Sequence, residues 1–275
     1  MHALDVRRLL QKHGLHPKKR LGQNFLVDES ALEKVAAAAE LTPSDTVLEI
    51  GPGLGSLTRH LAQRAARVIA VELDSSFLPA LEETLRPHDN VEIIHADILR
   101  LDLARLPGLA PGYLVVANIP YYITSAIVRR LVEAPVRPAR IVLTVQREVA
   151  ERITAAPGDL SLLAISVQLY ASPRIVARLP AGAFYPRPEV DSAILRLDVH
   201  PSPPVPLVGV DSFFLVVKAG FSQKRKQLRN ALSGGLRLTS SQADNLLKQA
   251  GVLGSRRAET LTLTEWAALA NAYHP

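Results

Sequence analysis

The stretch Thr46-Val-Leu-Glu-Ile-Gly-Pro-Gly-Leu-Gly55 joins a short apolar run to a segment in which apolar residues recur at helical spacing. It predicts a strand over residues 46–50, a glycine-rich turn, and a helix over residues 54–65. The three glycines permit positive φ angles and allow a ligand to approach the backbone closely. A turn of this kind is a weak functional signal by itself, because dinucleotide-binding enzymes use a close variant of it.

Two carboxylates follow at the ends of the next two predicted strands. Glu72 ends the strand over residues 67–72, about 20 residues after the glycines, where a carboxylate can accept hydrogen bonds from two ribose hydroxyls. Asp97 comes directly after the strand over residues 90–96 and can accept a hydrogen bond from an adenine amino group. Either acid alone is compatible with an ordinary surface residue. Their position at successive strand ends favours an adenosine-containing ligand.

The turn Asn118-Ile-Pro-Tyr121 ends a fourth predicted strand. The amide oxygen of Asn118 and the carbonyl of Ile119 can both accept hydrogen bonds from an exocyclic amine. Tyr121 can lie against the ring that carries the amine, and Pro120 stiffens the turn. Taken alone, the four residues are equally compatible with an ordinary loop. Combined with the upstream acids, they predict chemistry on a planar amine.

Three features argue against a nicotinamide-dependent oxidoreductase. Glu49 stands two residues before the first glycine, where dinucleotide-binding folds usually have an apolar residue, and Pro52 lies inside the turn. No arrangement of His, Lys and Tyr suited to hydride transfer is visible in the sequence. This class of enzyme is therefore a distant alternative.

The order of the predicted elements indicates an α/β protein with a parallel, doubly wound sheet and ligands at the carboxyl ends of the strands. Two further strands, over residues 175–179 and 192–199, close the sheet, and a proline-rich linker follows over residues 202–206. We expect one domain over residues 1–205, which begins with a basic arm over residues 1–20, and a small all-helical domain over residues 206–275. The other strands are expected at residues 46–50, 67–72, 90–96, 113–118 and 139–146, and the helices at residues 29–40, 54–65, 211–219, 222–234, 239–250 and 264–272.

Two local signals set the expected helix boundaries in the second domain. Gly234-Gly235 predicts the end of one helix, and Thr239 or Ser240 predicts the cap of the next.

Composition limits the class of protein. The 275 residues suffice for one sizeable core and a smaller second domain, and the absence of cysteine excludes disulfides, thiolate metal sites and cysteine nucleophiles. No apolar stretch reaches the ~18 residues that a membrane span needs, and the N-terminal sequence lacks the apolar segment of a secretory signal. We therefore expect a cytoplasmic enzyme without a membrane partner.

The net charge of +6 is concentrated near the two ends of the sequence. Residues 1–20 carry six basic and one acidic side chain, and residues 211–257 carry nine basic and two acidic side chains. Clustered Lys and Arg are a footprint of phosphate binding, although solvated charged faces of surface helices explain many such runs. A polyanionic partner is favoured here because the predicted chemistry already requires a nucleobase amine.

Five motifs occur in order along the chain: Leu21-Gly-Gln-Asn-Phe-Leu26, Glu49-Ile-Gly-Pro-Gly-Leu-Gly55, Asn118-Ile-Pro-Tyr-Tyr122, Phe184-Tyr-Pro-Arg-Pro-Glu-Val-Asp-Ser192 and Phe221-Ser-Gln-Lys-Arg-Lys-Gln-Leu-Arg-Asn230. With them, the sequence resembles the KsgA-type (RsmA) small-subunit rRNA adenine N6-dimethyltransferases over nearly its whole length. The resemblance implies a Rossmann-like class I S-adenosylmethionine methyltransferase sheet with helices on both faces, plus a small all-helical C-terminal domain that binds RNA.

The resemblance also implies an activity. Members of the family methylate N6 of two adjacent adenosines twice, in the loop of the 3′-terminal hairpin of small-subunit (16S) rRNA, with S-adenosylmethionine as the donor. The substrate is expected within a pre-ribosomal small subunit, and the protein is expected to be a monomer without a metal ion. One departure from the family occurs at Leu160-Ser161, where Tyr-Gly often precedes a helix, and it touches no residue with a chemical role.

The resemblance assigns roles to individual residues. The turn of residues 118–121 holds the target amine, and Phe184 stacks on the flipped adenine opposite Tyr121. From the residues alone, Phe184 is better explained as a core aromatic before a strand. The expected cofactor contacts are Asn24, Leu26, Gly51, Gly53, Glu72, Asp97 and Asn118. The expected RNA contacts, from the basic clusters, are Lys18, Lys19, Arg20, Lys224, Arg225, Lys226 and Arg229.

Two related functions stay open on the sequence. A resistance-type methyltransferase of large-subunit (23S) rRNA shares the glycine-rich turn and a turn similar to residues 118–121, but residues 21–26 and 221–230 favour the small-subunit family. A mainly non-catalytic ribosome-assembly factor is the other alternative, and the intact Asn118 turn argues against it.

Overall fold

The computed structural model describes residues 4–18, 21–223 and 225–273. Its strands are, in chain order, β1 (Phe25–Leu26), β2 (Thr46–Ile50), β3 (Arg67–Glu72), β4 (Val91–His95), β5 (Leu114–Asn118), β6 (Arg140–Gln146), β7 (Ala171–Leu179), β8 (Phe184–Tyr185) and β9 (Ser192–Val199). Its helices are α1 (Val6–Lys12), α2 (Glu29–Ala38), α3 (Ser56–Ala62), α4 (Leu78–Leu85), α5 (Thr124–Glu133), α6 (Arg147–Ile153), α7 (Leu162–Gln168), α8 (Val210–Phe221), α9 (Leu228–Leu236), α10 (Ser240–Gln249) and α11 (Leu263–Ala272).

Seven strands form one sheet in the order β4-β3-β2-β5-β6-β9-β7, and β1 pairs with β8 in a separate two-stranded sheet. The strands from β2 to β6 are parallel, whereas β9 is antiparallel to β6. The parallel core and the closing pair β7 and β9 confirm the predicted sheet. Since the chain order reverses at β2, a crevice lies beyond the carboxyl ends of β2 and β5, where open α/β sheets bind ligands.

Both faces of the sheet are covered. The neighbouring residues Val47 and Leu48 point to opposite faces, and both are fully buried. One face packs against α2 and α3, where Leu32, Val35 and Leu61 meet the sheet. Complete burial of a Leu or Val side chain contributes ~1.5–3 kcal/mol, so this cluster holds the strand ends in fixed positions.

The N-terminal residues contain more structure than the predicted basic arm. Helix α1 begins after Asp5, whose carboxylate accepts a hydrogen bond from the Arg8 N–H at 3.0 Å. The apolar residues of α1 are buried in a small cluster that also contains Phe25, Leu54 and Phe77. The helical spacing of the apolar residues Val6, Leu9 and Leu10 is the sequence signal for α1. The charged residues between them made this signal hard to recognise.

Contacts divide the chain into two compact units. The first contains the described residues of 1–150 and 173–199, and the second contains those of 151–172 and 200–275. Helices α7 to α11 lie in the second unit, in agreement with the expected helical C-terminal region. Residues 151–172 group with these helices, which the predicted boundary at residue 205 did not include. No helix in the described ranges is long and apolar enough to cross a membrane.

The predicted start of the helix over residues 222–234 is wrong. Helix α8 ends at Phe221, and the Ser222 hydroxyl and N–H both donate to the carbonyl of Ala219. Helix α9 begins only at Leu228, whose N–H donates to the Arg256 carbonyl at 2.7 Å. The connection between α8 and α9 therefore carries Arg225 and Lys226, which the sequence suggested would lie on a helix.

The predicted helix end at Gly234-Gly235 is also wrong. Helix α9 continues through both glycines to Leu236, and its last turn closes at Arg237 with a φ of 56°. A Cβ at Gly235 would lie 2.6 Å from the Cα of Ala219, so this glycine allows α9 to pack closely on α8. The cap predicted for the next helix is confirmed, because Thr239 forms a capping box with Gln242 at the start of α10.

Candidate active site

A cavity lies at the carboxyl ends of the parallel strands. Its lining includes every residue that the sequence predicted for the cofactor: Asn24, Leu26, Gly51, Gly53, Glu72, Asp97 and Asn118. Ile119, Pro120 and Tyr121 line the same cavity. The fold thus brings the predicted residues together, and their contacts with a cofactor stay a prediction.

Strand register places three polar side chains of the cavity on one face of the sheet. Glu49 on β2 is level with Ala70 on β3 and with Val116 on β5. Glu72 and Asn118 lie two residues further along those strands, and side chains two residues apart share a face. The polar side chains of Glu49, Glu72 and Asn118 therefore lie on the same face of the sheet, at the carboxyl ends of the strands.

Glu72 is held by backbone donors. Its carboxylate accepts hydrogen bonds from the Gly53 N–H at 3.0 Å and from the Asp74 N–H at 2.8 Å. Burial raises the pKa of Glu72 above its ordinary value, and these two N–H groups offset part of the effect. Each carboxylate oxygen keeps a further lone pair, so Glu72 can still accept hydrogen bonds from two neighbouring hydroxyls.

Asp97 is more open than Glu72. Its Oδ1 accepts a hydrogen bond from the Leu99 N–H at 2.9 Å, and its Oδ2 lies 3.6 Å from the Nε of Arg100. One third of the Asp97 side chain is exposed. The carboxylate can therefore accept a hydrogen bond from an amino group that enters the cavity.

Glu49 is the most deeply buried of these acids, with 1% of its surface exposed. Its Oε2 has no hydrogen-bond partner among the described residues. Burial raises the pKa of Glu49 to about 8, and the nearby negative charge of Glu72 adds to this while the Thr58 hydroxyl opposes it. A buried carboxyl oxygen that has no partner among the described residues, at the wall of a cavity, suits a ligand that brings a positive charge.

Two glycines shape the turn after β2. Gly51 and Gly53 have φ angles of 69° and 58°. A Cβ at Gly51 would meet no atom within 4 Å, whereas a Cβ at Gly53 would lie 2.9 Å from the ring of Phe25. Gly51 therefore leaves the backbone open to a ligand, and Gly53 makes room for Phe25 to pack against the turn.

Both ends of the Asn118 amide are engaged. Its Nδ2 donates to the carbonyl of Asn24 at 2.9 Å, and its Oδ1 accepts a hydrogen bond from the Thr144 hydroxyl. Thr144 is fully buried and is the register partner of Asn118 on β6. The amide is thus fixed in orientation, and Oδ1 keeps a lone pair for an exocyclic amine.

Tyr121 is anchored by a hydroxyl on a distant strand. Its phenol oxygen lies 2.6 Å from the Oγ of Ser192, which is fully buried at the start of β9. Burial raises the pKa of Tyr121, and the hydrogen bond with Ser192 offsets part of this effect. The ring is therefore neutral and held at the cavity wall.

Phe184 lies in the apolar core. It is 4% exposed, is the register partner of Leu26 in the β1–β8 pair, and is not among the residues that line the cavity. This position agrees with the core role that the residue pattern favoured. Stacking on a target base would require the ring to be uncovered, and that role stays a prediction.

The predicted RNA contacts fall into three groups. Arg225 and Lys226 are exposed in the connection between α8 and α9, whereas Arg229 is paired with Asp244 at 2.6 Å. The ammonium of Lys18 is bonded to Asp74 at the edge of the cavity. The other three, Lys19, Arg20 and Lys224, lie outside the described residues.

Sequence reasoning missed several residues of the site, among them Glu49, Leu73, Asp74, Thr144 and Ser192. Leu73 lines the cavity and is 49% exposed, which suits an apolar ring surface. Thr144 could have been noticed as a polar residue within the apolar strand over residues 140–146. No local signal reveals which side chain it meets, because its partner lies on another strand.

Two solved structures resemble this chain closely. One is the crystal structure of the 23S rRNA methyltransferase ErmE, with a TM-score of 0.73, 32% sequence identity, and coverage of 90% of this chain and 99% of that one. The other is a dimethyladenosine transferase from Plasmodium falciparum, with a TM-score of 0.76, 26% identity, and coverage of 88% and 94%. Fold and cavity together define a Rossmann-like, S-adenosylmethionine-dependent methyltransferase.

Sequence relatives narrow the class. The chain is 44% identical over 269 residues to ribosomal RNA small subunit methyltransferase A of Dehalococcoides mccartyi, covering 98% of this chain and 92% of the relative. It is 46% identical over 271 residues to the protein of the same name from Moorella thermoacetica, covering 95% and 94%. The family described as ribosomal RNA adenine dimethylase matches residues 14–274. The chain belongs to the ribosomal RNA adenine dimethylase family.

Proposed function

We propose that this protein transfers methyl groups from S-adenosylmethionine to N6 of two adjacent adenosines in the loop of the 3′-terminal hairpin of small-subunit rRNA. Each adenosine receives two methyl groups. The proposal rests on one observation. The Asn118–Tyr121 turn lines the same cavity as Glu72 and Asp97, which lie at the ends of other parallel strands. An adenosine-containing donor and an amine acceptor can therefore meet at one point.

The residues of the cavity fit the donor. Glu72 suits its ribose hydroxyls, Asp97 its adenine amino group, and the open backbone at Gly51 its methionine part. The Oε2 of Glu49, which has no partner among the described residues, suits its positive charge. When bound, S-adenosylmethionine supplies an electrophilic methyl group on a sulfonium.

The turn makes the target nitrogen reactive. The lone pair of an adenine amino group is delocalised into the ring, so the nitrogen is a poor nucleophile. Hydrogen bonds from N6–H to the Asn118 Oδ1 and the Ile119 carbonyl favour a pyramidal nitrogen with a usable lone pair. Holding the amine in line with the methyl group lowers the barrier by up to ~7–11 kcal/mol. The first product keeps one N6–H, which can still donate to one of these acceptors, so the same site can act twice.

The target base must leave its stack to reach the cavity. Unstacking costs a few kcal/mol and is least costly for a base that is already unpaired, as in a hairpin loop. Stacking on the Tyr121 ring returns ~1–3 kcal/mol, and the Ser192 hydrogen bond keeps that ring in place. A looped adenosine is therefore a better substrate for this site than one in a duplex.

The names of the relatives support small-subunit rRNA as the substrate. Relatives at 44% and 46% identity carry the small-subunit name, whereas the structure named for 23S rRNA is 32% identical. The proposed substrate lies within a pre-ribosomal small subunit in the cytoplasm, and the protein acts on it as a monomer. Exposed Arg225 and Lys226 offer positive charge to its phosphates.

The proposal is tested by offering undermethylated small subunits and large-subunit RNA separately to the protein with S-adenosylmethionine labelled in the methyl group. We expect up to four methyl groups per small subunit, as two dimethylated bases require, and no incorporation into large-subunit RNA. Incorporation into large-subunit RNA alone would assign the resistance-type activity. Tight binding of small subunits without any methyl transfer would indicate a role in ribosome assembly only.

A further inference from the structure

Residues 21–26, which include β1, line the edge of the cavity and are hydrogen-bonded to Asp74 through Gln23. We define the strap as residues 21–26 together with Lys18. The Nζ of Lys18 donates to both carboxylate oxygens of Asp74, at 2.9 and 2.7 Å, and lies 3.3 Å from the Oγ of Ser76. The Nε2 of Gln23 donates to Asp74 at 3.1 Å. Two side chains of the strap therefore converge on one carboxylate.

This contact is more enclosed than an ordinary surface ion pair. The side chain of Asp74 is 7% exposed and that of Lys18 is 38% exposed. Burial alone raises the pKa of Asp74, but the Lys18 ammonium and hydrogen bonds from Ser76 and Gln23 lower it to about 2. The carboxylate is thus ionised, and charge-assisted hydrogen bonds in a partly dry site are stronger than exposed ones.

The strap is also fastened at its other end. The carbonyl of Asn24 accepts the hydrogen bond from the Asn118 amide, and β1 pairs with β8. The backbone of Asp74 meanwhile donates to Glu72. A continuous set of contacts therefore runs from the acid expected at the ribose, through the strap, to the turn expected at the target amine.

We propose that Lys18 is a positioning residue of the cofactor site, whose ion pair with Asp74 holds the strap over the nucleoside end of S-adenosylmethionine. Release of the cofactor then requires this contact to open. The inference rests on the proposed function and gives Lys18 a role in place of the RNA-phosphate contact expected from its charge. A lysine whose three donors already face Asp74 and Ser76 has little left to offer a phosphate.

The test compares Lys18→Met with Lys12→Met in the full chain without RNA. Lys12 is a matched control, because it lies in the same N-terminal region and pairs with Glu83 on α4, a residue that does not line the cavity. Calorimetry and stopped-flow measurements give the affinity and the dissociation rate of S-adenosylmethionine. We expect Lys18→Met to weaken binding and speed dissociation by about tenfold, which corresponds to one charge-assisted hydrogen bond. Lys12→Met should match the wild type within about twofold.

Two further variants keep the outcome interpretable. Lys18→Arg retains the charge and should bind the cofactor with most of the wild-type affinity. If Lys18 acted only through its aliphatic stem, methionine would replace it without loss of affinity. Gln23→Leu removes the second contact with Asp74 and should weaken binding about threefold, even if Lys18→Met lowers the melting temperature. Equal cofactor dissociation in the wild type, Lys18→Met and Gln23→Leu overturns the inference.

Measurements of RNA binding distinguish the positioning role of Lys18 from a role in binding an RNA phosphate. If Lys18 positions the strap, Lys18→Met and Lys12→Met should show the same salt dependence of RNA affinity. A slope reduced by about one in Lys18→Met alone, with unchanged cofactor binding, would assign Lys18 to a phosphate instead. A wild-type protein that binds no S-adenosylmethionine would refute the proposed function itself, whereas normal binding by both wild type and variants refutes only the role of Lys18.

Discussion

At the scale of single residues, the proposed chemistry of the site depends on the Asn118 amide, whose two ends are fixed by different parts of the chain. Asn24 accepts from one end of Asn118, and Thr144 donates to the other. A side chain held in this way loses little freedom when a substrate arrives, so its hydrogen bond acts fully in the transition state. Removal of the side chain should therefore affect the rate more than the fold.

Replacement of Asn118 by alanine should lower the single-turnover rate of methyl transfer by ~10²–10³ at saturating cofactor, as loss of a preorganised polar group does elsewhere. The control is Asn90→Ala, because the side chain of Asn90 donates to the carbonyls of Ala62 and Ala65, and Asn90 does not line the cavity. That variant should lose stability and keep its rate. A near-normal rate in Asn118→Ala would remove the turn from the mechanism.

Replacement of Glu49 by glutamine should change how the stability of the cofactor-free protein depends on pH. The unfolded carboxyl releases its proton near pH 4.5, whereas the folded one keeps it up to about pH 8. The wild type therefore loses stability as pH rises between these values, and the loss levels off above about pH 8. Glu49→Gln lacks this loss, so its advantage in free energy of unfolding should grow over the same window.

Urea unfolding at several pH values from about 5 to 8 measures this effect. Glu82→Gln, which alters an exposed carboxylate on α4, serves as the control and should give a curve parallel to that of the wild type. Parallel curves for Glu49→Gln and the wild type would mean that the buried carboxyl is already ionised in the empty cavity.

The residues that lie in sequence motifs could be predicted from the sequence, but their hydrogen-bond partners could not. The hydrogen bonds Asn24–Asn118 and Tyr121–Ser192 join residues 94 and 71 positions apart. Such pairs depend on strand order and register, which local patterns do not encode. Phe184 shows the opposite case. An aromatic residue before a strand is expected in the core, and this simple interpretation describes its buried position, whereas the stacking role implied by the motif does not.

At the scale of elements, the sheet was predictable and the C-terminal helices were less so. Apolar runs bounded by turns mark the parallel strands, because both faces of such strands are buried. Consecutive glycines usually end a helix, yet α9 continues through Gly234 and Gly235. The tertiary contact of Gly235 with Ala219 overrides the local preference, and only the packed structure reveals it.

The two neighbouring glycines give a matched pair of variants with opposite expected effects. Gly235→Ala places a Cβ 2.6 Å from the Cα of Ala219 and should destabilise the protein by ~1–3 kcal/mol through overpacking. Gly234→Ala meets only the Gln223 side chain, at 3.5 Å, and should stabilise α9 by ~0.5–1 kcal/mol. Urea unfolding gives both values. Effects of the same sign would contradict the close packing of α8 and α9.

At the scale of the whole molecule, the cavity and one exposed basic cluster lie in different units. The cavity lies in the first unit, and the exposed Arg225 and Lys226 lie in the second. Changes to the second unit should therefore alter RNA binding without altering cofactor binding.

The double variant Arg225→Gln/Lys226→Gln should weaken RNA binding and lower the slope of log affinity against log salt by up to about two, because each side chain that neutralises a phosphate adds about one to the slope. Cofactor affinity should not change. Lys34→Gln, on the exposed side of α2, is the control for the removal of a charge elsewhere. An unchanged slope in the double variant would mean that the two side chains form a solvated surface only.

The measurement that tests the central claim most directly is mass spectrometry of RNA from undermethylated small subunits treated with the protein and S-adenosylmethionine. We predict N6,N6-dimethyladenosine at two adjacent positions in the loop of the 3′-terminal hairpin, absent when Asn118→Ala is used for the same time. Methylation at any other position, or on an atom other than N6, would contradict the assignment of the turn and the cavity to this reaction.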